Sequence, residues 1–165
     1  PQRMAWRALA EGVRVGLNGH TERERTPAGL ASIAWLRANA PDGSVVLEAV
    51  GTGGGSYDTQ REGAAQVSAS SGLPTVLGWV GHELQWRNGD ATLLDQLKQR
   101  EADVDAIYAT PDASQARPLL EKYKVRYVYV GSFERARYSP ESIAKFAALG
   151  TAAFQQDDIT IYQLP

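Results

Sequence analysis

The sequence contains no cysteine, which excludes disulfide bonds, thiolate catalysis and cysteine-ligated zinc. This absence leaves the compartment open, because a domain with a large core can do without disulfides anywhere. Only two histidines are present, so candidates for a histidine metal ligand or a catalytic base are few. No uninterrupted apolar run approaches the roughly 20 residues of a membrane-spanning helix, and no signal peptide is recognisable.

The net charge of −2 gives no electrostatic indication of nucleic acid, which requires a basic face. A length of 165 residues and a hydrophobic share of 43% are typical of one globular domain. We expect residues 1–26 to be an irregular lead-in and residues 27–165 to form a single soluble domain. Trp6 lies between Arg3 and Arg7, which would suit a juxtamembrane position. The alternative is a solvated leader whose tryptophan packs on the domain.

Four helices are predicted, and each follows a residue whose side chain can accept a hydrogen bond from a first-turn amide. The predicted ranges are 27–39, 91–100 and 140–149, with a further turn or helix that runs from its cap at Asp112 toward Tyr123, and the other capping residues are Thr26, Asp90 and Ser139. Proline at the first position supports the first and last of these helices, whereas Pro118 must interrupt the third.

Strands are predicted at Ser44–Val50, Pro74–Trp79, Val104–Thr110 and Val125–Val130, and a closing hairpin at Phe154–Gln156 and Ile159–Leu164. Strands that alternate with helices indicate right-handed crossovers and therefore parallel pairing. The predicted fold class is α/β, a three-layer-like open sheet of mainly parallel strands with helical crossovers and a C-terminal antiparallel hairpin.

The familiar catalytic and cofactor motifs are incomplete. The glycine-rich segment Gly51–Gly55 follows a predicted strand, but a dinucleotide fingerprint needs glycine where Ser56 stands, and a Walker loop needs a lysine that is absent. His82-Glu83 resembles the start of a zinc-protease helix, yet Trp86 occupies the place of the second histidine. No Gly-x-Ser-x-Gly elbow is present. We predict no cofactor, no metal and no catalytic residue.

The densest unusual chemistry follows the second predicted strand, where Trp79, His82, Glu83, Trp86 and Arg87 lie within nine residues. Such a set could stack on a sugar ring and hydrogen-bond its hydroxyls. The alternative is that the tryptophans cover the end of the sheet while the polar side chains bond to loop backbone.

A second such segment contains Glu134, Arg135 and Tyr138 and follows the fourth predicted strand. Its structural interpretation is an ion-paired Glu134–arginine cluster that orders the loop. Carboxyl ends of parallel strands share one edge, so we expect the segments 51–57, 82–87, 110–112 and 134–138 to converge. The candidate ligand-binding residues are Glu48, Tyr57, Trp79, His82, Glu83, Trp86, Arg87, Glu134, Arg135 and Tyr138.

Three stretches resemble the C-terminal soluble region of the "YYY" family of bacterial and archaeal multi-spanning membrane proteins, whose function is unassigned. They are Leu73–Trp79 with the His-Glu-x-Gln-Trp-Arg that follows, Ala106–Thr110, and Leu119–Gly131 through Arg135. The order of leucine pair, Lys-Tyr, paired aromatic strand and closing Ile-Tyr is also similar to the extracytoplasmic domains of GT-C type glycosyltransferases.

The resemblance implies a non-catalytic domain on the extracytoplasmic face of the cell membrane, part of a multi-pass protein that is glycosyltransferase-like. The implied partners are the transmembrane portion of the same polypeptide and a glycan, lipid-linked sugar or peptide acceptor. Two alternatives stay open. One is a free-standing module that binds carbohydrate or a small anion, and the other is an independent hydrolase that uses Glu48, His82 or Glu83.

Overall fold

The computed structural model describes residues 26–50, 66–78, 85–87 and 90–165, with Ala91 by its backbone alone. Residues 1–25 of the predicted lead-in lie outside these ranges. The described elements are α1 (Pro27–Asn39), β1 (Val45–Leu47), α2 (Gln66–Ser71), α3 (Ala91–Ala109), α4 (Ala113–Lys122), β2 (Val125–Val130), α5 (Ser132–Arg137), α6 (Pro140–Ala144), α7 (Phe146–Leu149), β3 (Thr151–Gln156) and β4 (Ile159–Gln163). In this part of the chain, no helix has the length and apolar character needed to cross a bilayer.

The predicted helix starts are confirmed by hydrogen bonds to the first-turn amides. The Thr26 hydroxyl accepts from the third residue of α1 at 3.0 Å. The carboxylates of Asp90 and Asp112 accept from the second residues of α3 and α4 at 2.9 and 2.7 Å. Each cap satisfies an amide that has no partner inside its helix, so the chain fixes these boundaries locally.

The four described strands form one mixed sheet in the order β1-β2-β4-β3. β1 pairs with β2 in parallel, whereas β4 is antiparallel to both β2 and β3. β1, β2 and β3 therefore run in one direction and β4 opposes them. The α/β class and the C-terminal antiparallel hairpin are confirmed. The hairpin turns at Asp157, whose φ of 50° lies in the left-handed region that aspartate tolerates.

Helices cover both faces of the sheet, which gives three layers. Successive residues of β2 point to opposite faces. Tyr127 and Tyr129 pack with α1 and α2, while Val128 and Val130 pack with side chains of α3, α4, α6 and α7. The two buried clusters make β2 the central strand of the core, buried on both sides.

The prediction of a strand at Val104–Thr110 was wrong, because α3 continues without a break from Ala91 to Ala109. Val104, Ile107 and Tyr108 are spaced three and four residues apart and are all fully buried. This is the spacing of one helix face, and a short apolar run of this kind does not distinguish a strand from a buried helix.

Other elements also differ from the prediction. β1 covers only Val45–Leu47 of the predicted Ser44–Val50, and α4 continues through Pro118 instead of being interrupted there. In the range Pro74–Trp79, Thr75 forms a single parallel bridge with Val46, while Trp79 lies outside the described residues. The helix predicted over 140–149 is divided at Lys145 into α6 and α7.

Candidate functional site

The carboxyl ends of β1, β2 and β3 lie at one edge of the sheet, because these strands run in the same direction. We call residues 48–50, 131–134 and 157–158 the carboxyl edge. Ligands of open α/β sheets gather at such an edge, where loops follow the strands. The carboxyl edge is therefore the expected position of a ligand site.

Glu48 comes directly after β1 and is 2% exposed. Its Oε2 accepts from the amide of Val67 and its Oε1 from the amide of Ser68, both at 2.9 Å. These two amides belong to the first turn of α2, which has no partner for them inside the helix. Glu48 thus caps α2 from another part of the chain, and the negative charge suits the helix N-terminus.

Glu134 lies in the first turn of α5 and is fully buried. Its Oε2 accepts from the amide of Gly131 at 2.9 Å, which is half of a capping box. Its Oε1 accepts from the amide of Ala49 at 3.1 Å, 85 residues away in the sequence. One carboxylate therefore joins the end of β1 to the end of β2. Glu48 and Glu134 both lie at the carboxyl edge, and both hold backbone in place.

Arg135 ties α5 to the hairpin turn. Its Nε donates to the carbonyl oxygen of Asp158 at 2.7 Å, and its Nη2 donates to the hydroxyl of Thr160 at 3.1 Å. The structural interpretation of this segment from its sequence is an ion-paired Glu134–arginine cluster. The hydrogen bonds described here order the segment through backbone groups and a threonine hydroxyl.

Tyr138 lies on the α3 face of the sheet. Its hydroxyl donates to a carboxylate oxygen of Asp105 at 2.9 Å, and Arg137 donates to the same oxygen at 3.0 Å. The ring stacks on Tyr108 with the ring centres 5.1 Å apart. Burial, with the Asp105 hydrogen bond second, raises the pKa of Tyr138 well above its usual value. The side chain thus joins α5 to α3.

A cleft of about 430 Å³ opens at the carboxyl edge on the α1 face. It is lined by Thr26, Ala28, Gln66, Tyr129, Gly131, Ser132, Phe133, Asp157, Asp158 and Ile159. None of the ten predicted site residues lines it within the described ranges. Two of them hydrogen-bond lining residues, Glu134 to the amide of Gly131 and Arg135 to the carbonyl oxygen of Asp158. Tyr57, Trp79, His82 and Glu83 lie outside the described residues.

Trp86 and Arg87 lie on the surface, ahead of α3. Trp86 is 76% exposed, an unusual state for so large an aromatic side chain. Arg87 is exposed, and its carbonyl oxygen accepts from the amide of Asp90 at 3.3 Å. The segment 110–112 follows the helix α3 rather than a strand, so the reason for expecting it at the shared edge no longer holds.

Lys145 is a functional-looking residue that sequence reasoning missed. It is 5% exposed, and burial lowers its pKa to about 8. Its Nζ donates to the carbonyl oxygens of Tyr108 at 3.1 Å and Ser142 at 2.6 Å. The hydroxyl of Ser142 donates to the carbonyl oxygen of Ala109 at 2.6 Å. Both side chains thus bind the last carbonyls of α3, where a cation complements the helix dipole.

The spacing of residues in the sequence could have indicated that Lys145 is buried. Ser142, Lys145, Phe146 and Leu149 recur at three- and four-residue intervals, so the lysine falls on the buried stripe. Among the described residues, no three histidine, aspartate or glutamate side chains come together as a metal site would require. No protein-family profile matches the chain, and no curated protein matches its sequence.

Proposed function

We propose that this chain is the non-catalytic, extracytoplasmic domain of a multi-spanning membrane protein, where it contributes structural support and acceptor recognition. The proposal that the domain is non-catalytic rests on one observation. The two buried carboxylates at the carboxyl edge, Glu48 and Glu134, each accept backbone amides on both oxygens.

A general acid or base must reach a proton on the substrate within hydrogen-bond distance. Glu48 and Glu134 are 2% and 0% exposed, so a substrate could reach neither without displacing backbone. The buried amine of Lys145 is likewise engaged with carbonyl oxygens. These contacts favour a supporting role over an independent hydrolase that uses Glu48.

The membrane setting is supported by the family resemblance. Its longest stretch, Leu119–Gly131, spans the end of α4 and all of the central strand β2. Trp86 and Arg87 are adjacent in the sequence and both exposed, and a tryptophan and an arginine suit a membrane–water boundary or a sugar ring. The partners on this proposal are the transmembrane portion of the same polypeptide and a glycan, lipid-linked sugar or peptide acceptor.

Cell fractionation tests the membrane setting. We expect an antibody raised against this chain to detect a product much larger than 17.9 kDa in the membrane fraction. Because transmembrane helices insert essentially irreversibly, the product should resist carbonate extraction. Protease added to intact spheroplasts should remove the antibody signal, whereas a cytoplasmic marker should survive. A product extracted by carbonate, or protected from protease until the cells are lysed, would contradict the proposal.

A second candidate, a carbohydrate-binding module, is favoured by the exposure of Trp86. We expect Trp86→Ala to weaken binding to a glycan identified on an array by about 5- to 30-fold, since loss of stacking on a sugar costs of the order of 1–2 kcal/mol. The melting temperature should stay within about 2 °C, because a surface substitution rarely costs more than about 0.5 kcal/mol.

Leu30→Ala is the matched control, since Leu30 is also exposed, at 50%, and lies on α1. It should leave glycan binding unchanged. If Trp86→Ala binds the same glycan as tightly as the unmodified chain, the carbohydrate-binding candidate fails while the membrane proposal is unaffected.

A further inference from the structure

We propose that a second cleft, at the opposite edge of the sheet, binds a small soluble anion with a phosphate head and a short apolar group. We call it the basic cleft. It has a volume of about 280 Å³ and lies between the end of α4, the start of β2 and the end of β4. Its cations are Arg117, Lys124 and Arg126.

The basic cleft is separate from the carboxyl edge. Val125, the first residue of β2, lines it, whereas Gly131, which follows the last residue of β2, lines the other cleft. Six residues of extended strand span roughly 20 Å. The proposal for the basic cleft therefore does not depend on the structural role of Glu48 and Glu134 at the carboxyl edge.

The floor of the cleft is apolar. Leu120, Leu149 and Leu164 line it, and each is at most 6% exposed. They come from α4, α7 and the residue after β4, so only the folded chain brings them together. A floor of this kind would accept the apolar part of a ligand.

The three cations of the basic cleft form no ion pair or side-chain hydrogen bond with the described part of the chain. Other cations in the same part are used by the fold. Lys122, for example, pairs with Asp103 at 2.6 Å, and Arg100 donates to the carbonyl oxygen of Val76 at 3.2 Å. Glu121 is the single acidic side chain that lines the cleft, so the side chains that line it carry a formal charge of +2 (3 − 1).

Lys124 provides an independent observation. Its φ is 52°, in the left-handed region where glycine is favoured after a helix. An L-residue there carries a conformational cost, and such residues gather at sites where the side chain has a use. The chain has a lysine at this position instead of glycine, and Lys124 lines the basic cleft.

The chemistry of the walls defines the ligand. Two guanidinium groups and an ammonium group complement a dianionic head, and arginine binds phosphate oxygens bidentately. A volume of about 280 Å³ is near the lower end of small-molecule sites, which range from about 300 to 1,000 Å³. The cleft thus fits a phosphate monoester with a short apolar substituent.

Isothermal titration of the purified chain with hexyl phosphate tests this inference. We expect saturable binding that is about tenfold tighter than that of inorganic phosphate or hexanol, because each of these lacks one half of the match. Lys124→Gly should weaken binding by about tenfold or more and leave the melting temperature equal or higher, because glycine suits the backbone there. Lys98→Gln, an exposed control on α3 that does not line the cleft, should bind like the unmodified chain.

Two outcomes would overturn the inference. Hexyl phosphate could bind equally well to Lys124→Gly and Arg117→Gln, or it could fail to bind. If it fails while phosphatidylcholine vesicles with one-fifth phosphatidic acid capture the chain, the surface is a lipid contact. Hexyl phosphate binding that is lost in Lys124→Gly supports the inference.

Discussion

Replacing Glu134 with alanine should lower the free energy of unfolding by about 3–5 kcal/mol. The substitution leaves the amides of Ala49 and Gly131 without the acceptor that they have in the native chain. Each buried donor left unsatisfied costs about 1–3 kcal/mol, and the lost side-chain volume adds to this. Urea denaturation followed by circular dichroism would measure the change.

Two variants separate this effect from a general effect of removing glutamate. Glu134→Gln keeps the shape and one acceptor oxygen, so it should cost less than alanine. Glu121→Ala removes an exposed glutamate from α4 and should change stability by no more than about 0.5 kcal/mol. If Glu134→Ala is as stable as Glu121→Ala, the carboxylate does not hold the strand ends. The main support for a non-catalytic domain would then be lost.

Local chemistry explains the elements that the sequence predicted correctly. The bounds of β2 were predicted as Val125–Val130, where aromatic and β-branched residues follow one another. The start of α1 follows from a cap and a proline at adjacent positions, Thr26 and Pro27. Such signals need only neighbouring residues, so they can be read without knowing the fold.

The error at Val104–Thr110 has a physical cause. The segment is apolar and short, and the preceding helix was predicted to end at Arg100 without a terminating residue. Neither glycine nor proline occurs between Ala91 and Ala109, so nothing stops the helix at that point. Burial of Ile107 and Tyr108 then follows from helical spacing on the face toward the sheet.

The candidate site was predicted only in part. Sequence reasoning placed Glu134 after a parallel strand, at the shared edge, but it placed Glu48 inside the predicted strand Ser44–Val50, whereas β1 ends at Leu47. It could not identify their hydrogen-bond partners, because the amide of Ala49 meets Glu134 across 85 residues. The basic cleft is likewise formed by tertiary contact, since Lys124 and Leu164 come together only through the β2–β4 pairing.

Gly150→Ala should lower the free energy of unfolding by about 3 kcal/mol, although Gly150 has an ordinary extended backbone. A methyl group there would overlap the carbonyl group of Gln163 and come within 3.0 Å of Leu164 Cδ2. The carbonyl is backbone within the β3–β4 hairpin and cannot turn aside, so α7 would have to move.

Gly43→Ala is the informative comparison for Gly150→Ala, because Gly43 has a φ of +78° but open space where its Cβ would be. It should cost about 1 kcal/mol, from the left-handed conformation alone. Chemical denaturation of both variants would rank them. If Gly43→Ala is the more destabilising of the two, the close approach of the Gln163 carbonyl is not the reason for glycine at position 150.

If the predicted order holds, Gly150→Ala should also weaken hexyl phosphate binding. The reason is that moving α7 separates Leu149 from Leu164 in the floor of the basic cleft.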